Sequence, residues 1–240
     1  MIDVGVRGIL LDIEGTTTPI AFVHDVLFSY ARAHASDFLK NNIASDEVRA
    51  DVSMLYEEHA VDVVEDQDPP ELTEEIESLA AYIEWLIDQD RKSTGLKSLQ
   101  GKIWRQGYLD GSLKSQVFED VAPALERWRN EGLSISIFSS GSVLAQQLLF
   151  AHTNAGDLTR FIDCYFDTNT GKKGESESYQ RIASEMSLEP SQVLFISDVV
   201  EELDAAEEAG MKTLLSVRVG NSIQRATHHQ AIESFDKVNL

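Results

Sequence analysis

The sequence contains one cysteine, Cys164, so no intrachain disulfide can form and no thiolate zinc site has its ligands. The lone thiol is expected to be a buried packing residue. Basic residues are scarce: 20 Lys and Arg face 41 Asp and Glu, a formal net charge of −21. A surface of that sign repels nucleic acid and anionic lipid, so neither is expected as a partner. Most of the carboxylates read as solvated helix faces. An anionic substrate would then need a locally positive site, made from a divalent cation, a lysine or backbone N–H groups. Long apolar runs are missing too. The N-terminal stretch from Val4 to Leu11 is short, has no basic leader and ends in Asp12, which fits neither a signal peptide nor a membrane span, so a cytoplasmic address is expected. The six histidines, His24, His34, His59, His152, His228 and His229, show no H-E-x-x-H spacing. There is no Walker A lysine and no G-x-S-x-G elbow. These absences argue against zinc hydrolases, P-loop enzymes and serine hydrolases of the elbow type.

What remains is an ordinary globular composition, 42% hydrophobic and 25% charged, in 240 residues, long enough for one large domain or a core with an insertion. Short apolar runs that stop at small or polar residues read as buried strands: Arg7 to Leu11 before Asp12, Leu133 to Phe138 before Ser139, Val193 to Ile196 before Ser197-Asp198, and Thr213 to Val217 before Arg218. Helical patterns lie between them at Val121 to Asn130, Val143 to His152, Ser176 to Met186 and Glu201 to Ala209, the last closed by Gly210. This alternation predicts an α/β fold, a Rossmann-like parallel sheet with helices on both faces and a site beyond the carboxyl ends of its strands. Residues 21–113 break the alternation. Candidate helices near 22–41, 46–65 and 71–92, separated by Gln67-Asp68-Pro69-Pro70, predict an inserted helical cap domain, with 1–20 and 114–240 forming the core. Gly101, Gly107 and Gly111 are read as punctuation on the return to the core.

Asp12-Ile13-Glu14-Gly15-Thr16-Thr17 is the strongest chemical signal. In extended chain residues i and i+2 point the same way, so Asp12 and Glu14 can share a pocket while Ile13 packs behind them. One carboxylate can attack phosphorus while the other handles the leaving oxygen and the incoming water. The bland alternative is a loop acid pair capping the next helix. Ser139-Ser140-Gly141 offers hydroxyls and backbone N–H groups for phosphate oxygens, or plain helix-start chemistry. Either Lys172 or Lys173, in Gly171-Lys172-Lys173-Gly174, could neutralise an aspartate–phosphate cluster, or both could be solvated. Asp198 at a third strand end would complete, with Asp12, a hard oxygen site suited to Mg2+.

The order D-x-x-G-T, S-S-G, Lys, S-D resembles the haloacid dehalogenase phosphatases. Longer stretches are more narrowly similar to the enolase-phosphatase family of methionine salvage: LLDIEGTTTPIAFVHDVLF at 10–28, SSGSVLAQQLLF at 139–150 and ESESYQRIA at 175–183, with DRKSTGLKSLQG at 90–101 and SDVVEELDAAEEAG at 197–210 extending the likeness over nearly the whole chain. The resemblance implies Asp12 as nucleophile and metal ligand, Glu14 as general acid and base and a further metal ligand through its carbonyl, and Asp198 as metal ligand. It implies Ser139 and Ser140 as a substrate-binding pair, and Lys173, not Lys172, as the family's lysine with catalytic and binding roles. The implied cofactor is Mg2+, and the implied substrate is a small methylthio diketo phosphate, enolised and dephosphorylated to an acireductone. A monomer is expected, with the insertion closing over the site. A generic phosphatase of small organic phosphates is the alternative within the superfamily, and a phosphate-storing receiver module the alternative outside it. One departure is Val219, where the family often has proline after arginine, which leaves the shape of that loop open.

Overall fold

The structure is a computed structural model and describes residues 5–91, 93–221 and 227–240. Val4, where the N-terminal apolar stretch begins, and Lys92, at the end of the third expected cap helix, lie outside those residues. In chain order the elements are β1 (Gly8–Leu11), a π-helical stretch (Phe22–Phe28), α1 (Ser29–Asn42), α2 (Asp46–Val64), α3 (Ile76–Asp88), α4 (Thr94–Asp110), α5 (Val121–Asn130), β2 (Ser134–Phe138), α6 (Val143–Ala151), β3 (Cys164–Phe166), α7 (Ser176–Glu185), β4 (Val193–Ser197), α8 (Val200–Glu208), β5 (Lys212–Ser216) and β6 (Ala231–Ile232). They divide into two compact units, one of Met1–Val23 with Lys114–Leu240, the other of His24–Leu113. No helix among the described residues is long and apolar enough to cross a membrane.

The first unit holds a six-stranded sheet, all parallel, in the order β3-β2-β1-β4-β5-β6. Its central strands are apolar throughout because both faces are covered: β1 and β4 are buried at every residue. Alternation sends Leu10, Phe138 and Phe195 into one core with Tyr179 and Ile182 of α7 and Leu203 and Ala206 of α8. The neighbours along β1, Ile9 and Leu11, are equally buried on the opposite face. The chain leaves β1 toward β2 and β3, then returns to build β4, β5 and β6 on the other side. The strand order thus reverses at β1, the place where parallel sheets open a crevice. Leu11 is paired with Ile137 and with Ile196, so residues 12, 139 and 198 emerge side by side at the carboxyl ends of β1, β2 and β4.

β3 and β6 go beyond the four strands expected from sequence, being too short to carry a pattern. Cys164 sits on β3 half-buried against the α7–α8 core, so the expected full burial is corrected. Burial, with Asp163 and Glu185 nearby, pushes its thiol up.

Among the described residues, the regular elements of the second unit are all helices. Ala35 and Leu39 of α1, Leu55 of α2, Leu79, Tyr82, Ile83 and Leu86 of α3, and Leu96, Leu99 and Ile103 of α4 form one apolar core. Each fully buried Leu or Ile there contributes about 1.5–3 kcal/mol over leaving it in water. Ser45 and Ser93 start α2 and α4 by accepting hydrogen bonds from Val48 N and Leu96 N, both at 3.2 Å. Asp62, whose side chain is fully buried, accepts from Tyr82 Oη at 2.6 Å and Arg91 Nη2 at 2.8 Å. Gly101 and Gly107 lie inside α4, not on a return loop as expected; of the three glycines only Gly111, at φ +80°, ends a helix. Gly107 is needed for approach: a Cβ there would meet the Tyr30 ring at 2.6 Å.

Candidate active site

At the end of β1 the chain cannot continue as a strand, because Gly15 adopts φ +71° and turns it back. The amides of Thr16, Thr17 and Thr18 converge on Ile13 O at 3.2, 2.9 and 2.9 Å, and Gly15 N donates to Thr18 O at 2.8 Å. Three further carbonyls of the loop are held from outside. Gly15 O accepts from Asn221 Nδ2 at 2.9 Å and Ser216 Oγ at 3.2 Å, Thr16 O from Arg218 Nε at 3.2 Å, and Thr17 O from Phe118 N at 3.0 Å. Arg218 is itself buried between the rings of Phe118 and Phe235 and ion-paired with Asp120 at 2.8 Å. The result is a short rigid loop that fixes Asp12, whose own amide donates to Ile196 O at 3.0 Å.

Asp12 is 4% exposed, and its Oδ1 accepts from Lys173 Nζ at 2.5 Å. Lys172 points elsewhere, pairing with Glu175 at 3.3 Å with its side chain 82% exposed. The loop before α7 is therefore asymmetric: one lysine is solvated and the next is largely withdrawn from solvent, its side chain 13% exposed. Lys173 also binds Glu202 Oε2 at 2.6 Å, and Glu202 accepts from Ser197 Oγ at 2.8 Å. The ammonium lies 5.8 Å from the centre of the Phe138 ring, the residue before Ser139. Burial by itself would pull the Lys173 ammonium down, but the charges and hydrogen bonds of Asp12 and Glu202 outweigh it and hold it above its ordinary range. Glu202 is pushed up, chiefly by burial. Sequence reasoning passed over Glu202. It lies in the first turn of α8 next to Glu201, and no local pattern separates the two.

Asp198 meets this cluster from β4. Burial, then the charges of Asp12 and Glu202, push its carboxyl up to about 7, with Glu14 adding to the effect and Lys173 opposing it. The charge of the group as a whole asks for a cation. Gly15 makes the approach possible, since a Cβ built on it would lie 2.2 Å from Asp198 Oδ2. Gly15→Ala is therefore expected to cost about 1–3 kcal/mol of stability, from the positive φ and the collision, and to displace Asp198. Urea melts and turnover measured on the same sample check this; parental values for both would show that the loop relaxes freely.

Ser139 and Ser140 stand at the end of β2, Ser139 half-buried and Ser140 exposed. Their loop is pinned by Ser139 N, which donates to Phe166 O at 3.1 Å, and by Gly141 N, which donates to Ser139 Oγ at 3.3 Å. Buried Gln146 of α6 ties the same parts together, donating to Gly141 O at 2.9 Å and Phe166 O at 2.8 Å. Gln146, Arg218 and Asn221 escaped the sequence reading because each works through a backbone carbonyl, which leaves no residue pattern. Val219 is 98% exposed beside the turn in which Asn221 N donates to Arg218 O at 3.1 Å, so the residue in proline's place leaves the grip of Arg218 and Asn221 on the 15–16 loop in position.

The family model for haloacid dehalogenase-like hydrolases matches residues 6–210. Among curated proteins the chain is 52% identical over 235 residues to the enolase-phosphatase E1 of Synechococcus elongatus, with 98% of each chain covered. It is 45% identical over 234 residues to the enolase-phosphatase E1 of Drosophila mojavensis, covering 95% of this chain and 92% of that one. Among solved structures, the UTR4 protein of Saccharomyces cerevisiae superposes with a TM-score of 0.80 at 34% identity, covering 97% of this chain and all of that one.

Proposed function

We infer the chemistry of the site from one premise: the chain belongs to the haloacid dehalogenase-like hydrolases and, within them, to the enolase-phosphatases. It is a metal-dependent phosphatase of methionine salvage. Its proposed substrate is 2,3-diketo-5-methylthiopentyl-1-phosphate, which it enolises and dephosphorylates to the acireductone 1,2-dihydroxy-3-keto-5-methylthiopentene. The reading carries with it a monomer working in the cytoplasm on a small-molecule phosphate.

The observation that supports it best is the pairing of Asp12 Oδ1 with Lys173 Nζ at 2.5 Å, beside a carboxyl of Asp198 that burial and neighbouring charge push up to about 7. Carboxylates this crowded, with oxygen donors and no imidazole or thiolate among them, fit Mg2+, which Asp12, Asp198 and the carbonyl of Glu14 would hold. When bound, the cation offsets charge on the phosphoryl group and polarises the ketone oxygens.

The chain's own residues do the rest. Glu14, or a neighbouring base, moves the proton from carbon to oxygen that turns the ketone into its enol. Asp12 attacks phosphorus as the ester P–O bond breaks, and the leaving oxygen takes its proton from Glu14. Glu14 then removes a proton from the water that hydrolyses the aspartyl phosphate. Lys173, held charged by Asp12 and Glu202, faces the transferring phosphoryl group, while Ser139 and Ser140 bind its oxygens. Supplying the diketo phosphate with Mg2+ should release phosphate and generate acireductone absorbance together. Phosphate release without acireductone would leave only a generic phosphatase.

A pH dependence follows from Asp198. In the cation-free protein its folded pKa lies above the unfolded value, so folding takes up a proton, and stability falls as pH rises from the ordinary carboxylate range to about 7. A bound cation competes with that proton. Apparent Mg2+ affinity should therefore weaken below pH 7, approaching about tenfold per pH unit, and level off above it. Titration calorimetry across this range checks it; an affinity independent of pH would remove Asp198 from the ligand set.

A further inference from the structure

Away from the catalytic cluster, one group of side chains remains without a role. Asp204 and Glu207 lie one turn apart on α8. Facing them are His228 and His229, in the segment that leads into β6. His229 is buried, its side chain 1% exposed, with Nε2 3.0 Å from Asp204 Oδ1 and Nδ1 2.8 Å from Thr213 Oγ1 of β5. His228 Nε2 lies 2.6 Å from Glu207 Oε2, and the two imidazole rings are 4.2 Å apart, tilted by 36°. One ligand atom each from Asp204, His228 and His229 falls within 4.8 Å of the other two, the one such group of three or more found among the described residues.

We propose that Asp204, His228 and His229 form a second cation site, separate in chemistry and position from the catalytic one, that takes a late first-row divalent cation such as Zn2+. The donor set separates the two sites. Imidazole nitrogens beside a carboxylate favour Zn2+, Ni2+ or Cu2+, whereas the catalytic cluster offers oxygen alone. The geometry is close to what is needed. Tetrahedral bonds of about 2.0–2.1 Å put neighbouring ligands about 3.3 Å apart, so the widest-spaced ligand atoms must close by up to about 1.5 Å, which exposed His228 can supply. Both His229 ring nitrogens are engaged, Nδ1 by Thr213 Oγ1 and Nε2 by Asp204 Oδ1; with the ring proton on Nδ1 and donated to Thr213, Nε2 would be free to bind a cation placed between it and Asp204.

The simpler reading is a pair of histidine–carboxylate contacts. It accounts for each pair separately but not for their convergence, with two imidazoles 4.2 Å apart and tilted by 36° brought against one turn of α8. A cation there would tie the segment before β6 to α8, the helix that begins two residues after Asp198 and carries Glu202. Its expected effect is stabilisation of the folded chain, with turnover unaffected.

The test uses the full chain with Mg2+ in excess, titrated with Zn2+ by calorimetry and followed by thermal melting. Wild type and Asp198→Asn should each bind one equivalent of Zn2+ and melt at higher temperature with it. His228→Ala, which removes an exposed side chain, should weaken that binding at least tenfold and abolish the rise in melting temperature while Mg2+-dependent phosphate release stays at the parental rate. Asp204→Asn should weaken it likewise. Loss of the Zn2+ equivalent in Asp198→Asn would assign it to the catalytic site and overturn the proposal. So would no binding in the wild type, or parental affinity in both His228→Ala and Asp204→Asn.

Discussion

Asp12→Asn is expected to abolish phosphate release, by about 10^4-fold or more, without unfolding the protein. The amide keeps the shape of the carboxylate but is too poor a nucleophile to form the acyl phosphate. Folding survives because what fixes residue 12 is backbone: its amide on Ile196 O, the convergence on Ile13 O, and the grip of Asn221, Ser216 and Arg218 on the carbonyls that follow. Lys173 loses one partner and keeps Glu202 at 2.6 Å. Circular dichroism with single-turnover phosphate release separates the two effects. Turnover within tenfold of the parent would remove Asp12 from the chemistry.

Lys173→Met should damage both properties. Its removal leaves Asp12 and Glu202 buried with no ammonium between them, and breaking a buried pair in this way typically costs about 3–5 kcal/mol. The loss of a preorganised positive charge at the phosphoryl position should lower turnover by about 10^2- to 10^3-fold. Lys173→Arg is expected to rescue neither, since a planar guanidinium does not fit a pocket shaped around a compact ammonium. Excess Mg2+ should recover part of the stability of Lys173→Met, because a cation beside Asp12 and Asp198 offsets some of the same charge. Denaturant melts with and without Mg2+ measure this. A Lys173→Met protein as stable and as active as the parent would mean that the ion pair is incidental.

Much of this site was legible in the sequence because strand ends leave sharp marks. The runs ending at Asp12, Ser139 and Asp198 stop where apolar burial stops, and the parallel order that alternation implies brings those ends together. The reading failed where position depends on tertiary contact. Gly101 and Gly107 looked like breaks, yet they are interior to α4, with Gly107 pressed under the Tyr30 ring. Residues 94–110 were consequently not read as a helix. β3 and β6, three and two residues long, exist only through pairing with longer neighbours. The choice between Lys172 and Lys173 rested on resemblance alone; in the structure one side chain is 82% exposed and the other 13%. Glu202, Gln146, Arg218 and Asn221 act on an ammonium or on carbonyls brought near by the fold, and nothing local announces them.

In the proposed mechanism Asp12 carries the phosphoryl group between substrate and water. Rapid quenching during turnover, followed by borohydride reduction and peptide mass spectrometry, tests this directly, because reduction of an acyl phosphate converts that aspartate to homoserine. The prediction is homoserine at residue 12 in wild type during turnover, absent without substrate. Homoserine at another aspartate would contradict it, as would none at all under conditions where phosphate is being released and a known acyl-phosphate enzyme run alongside is trapped.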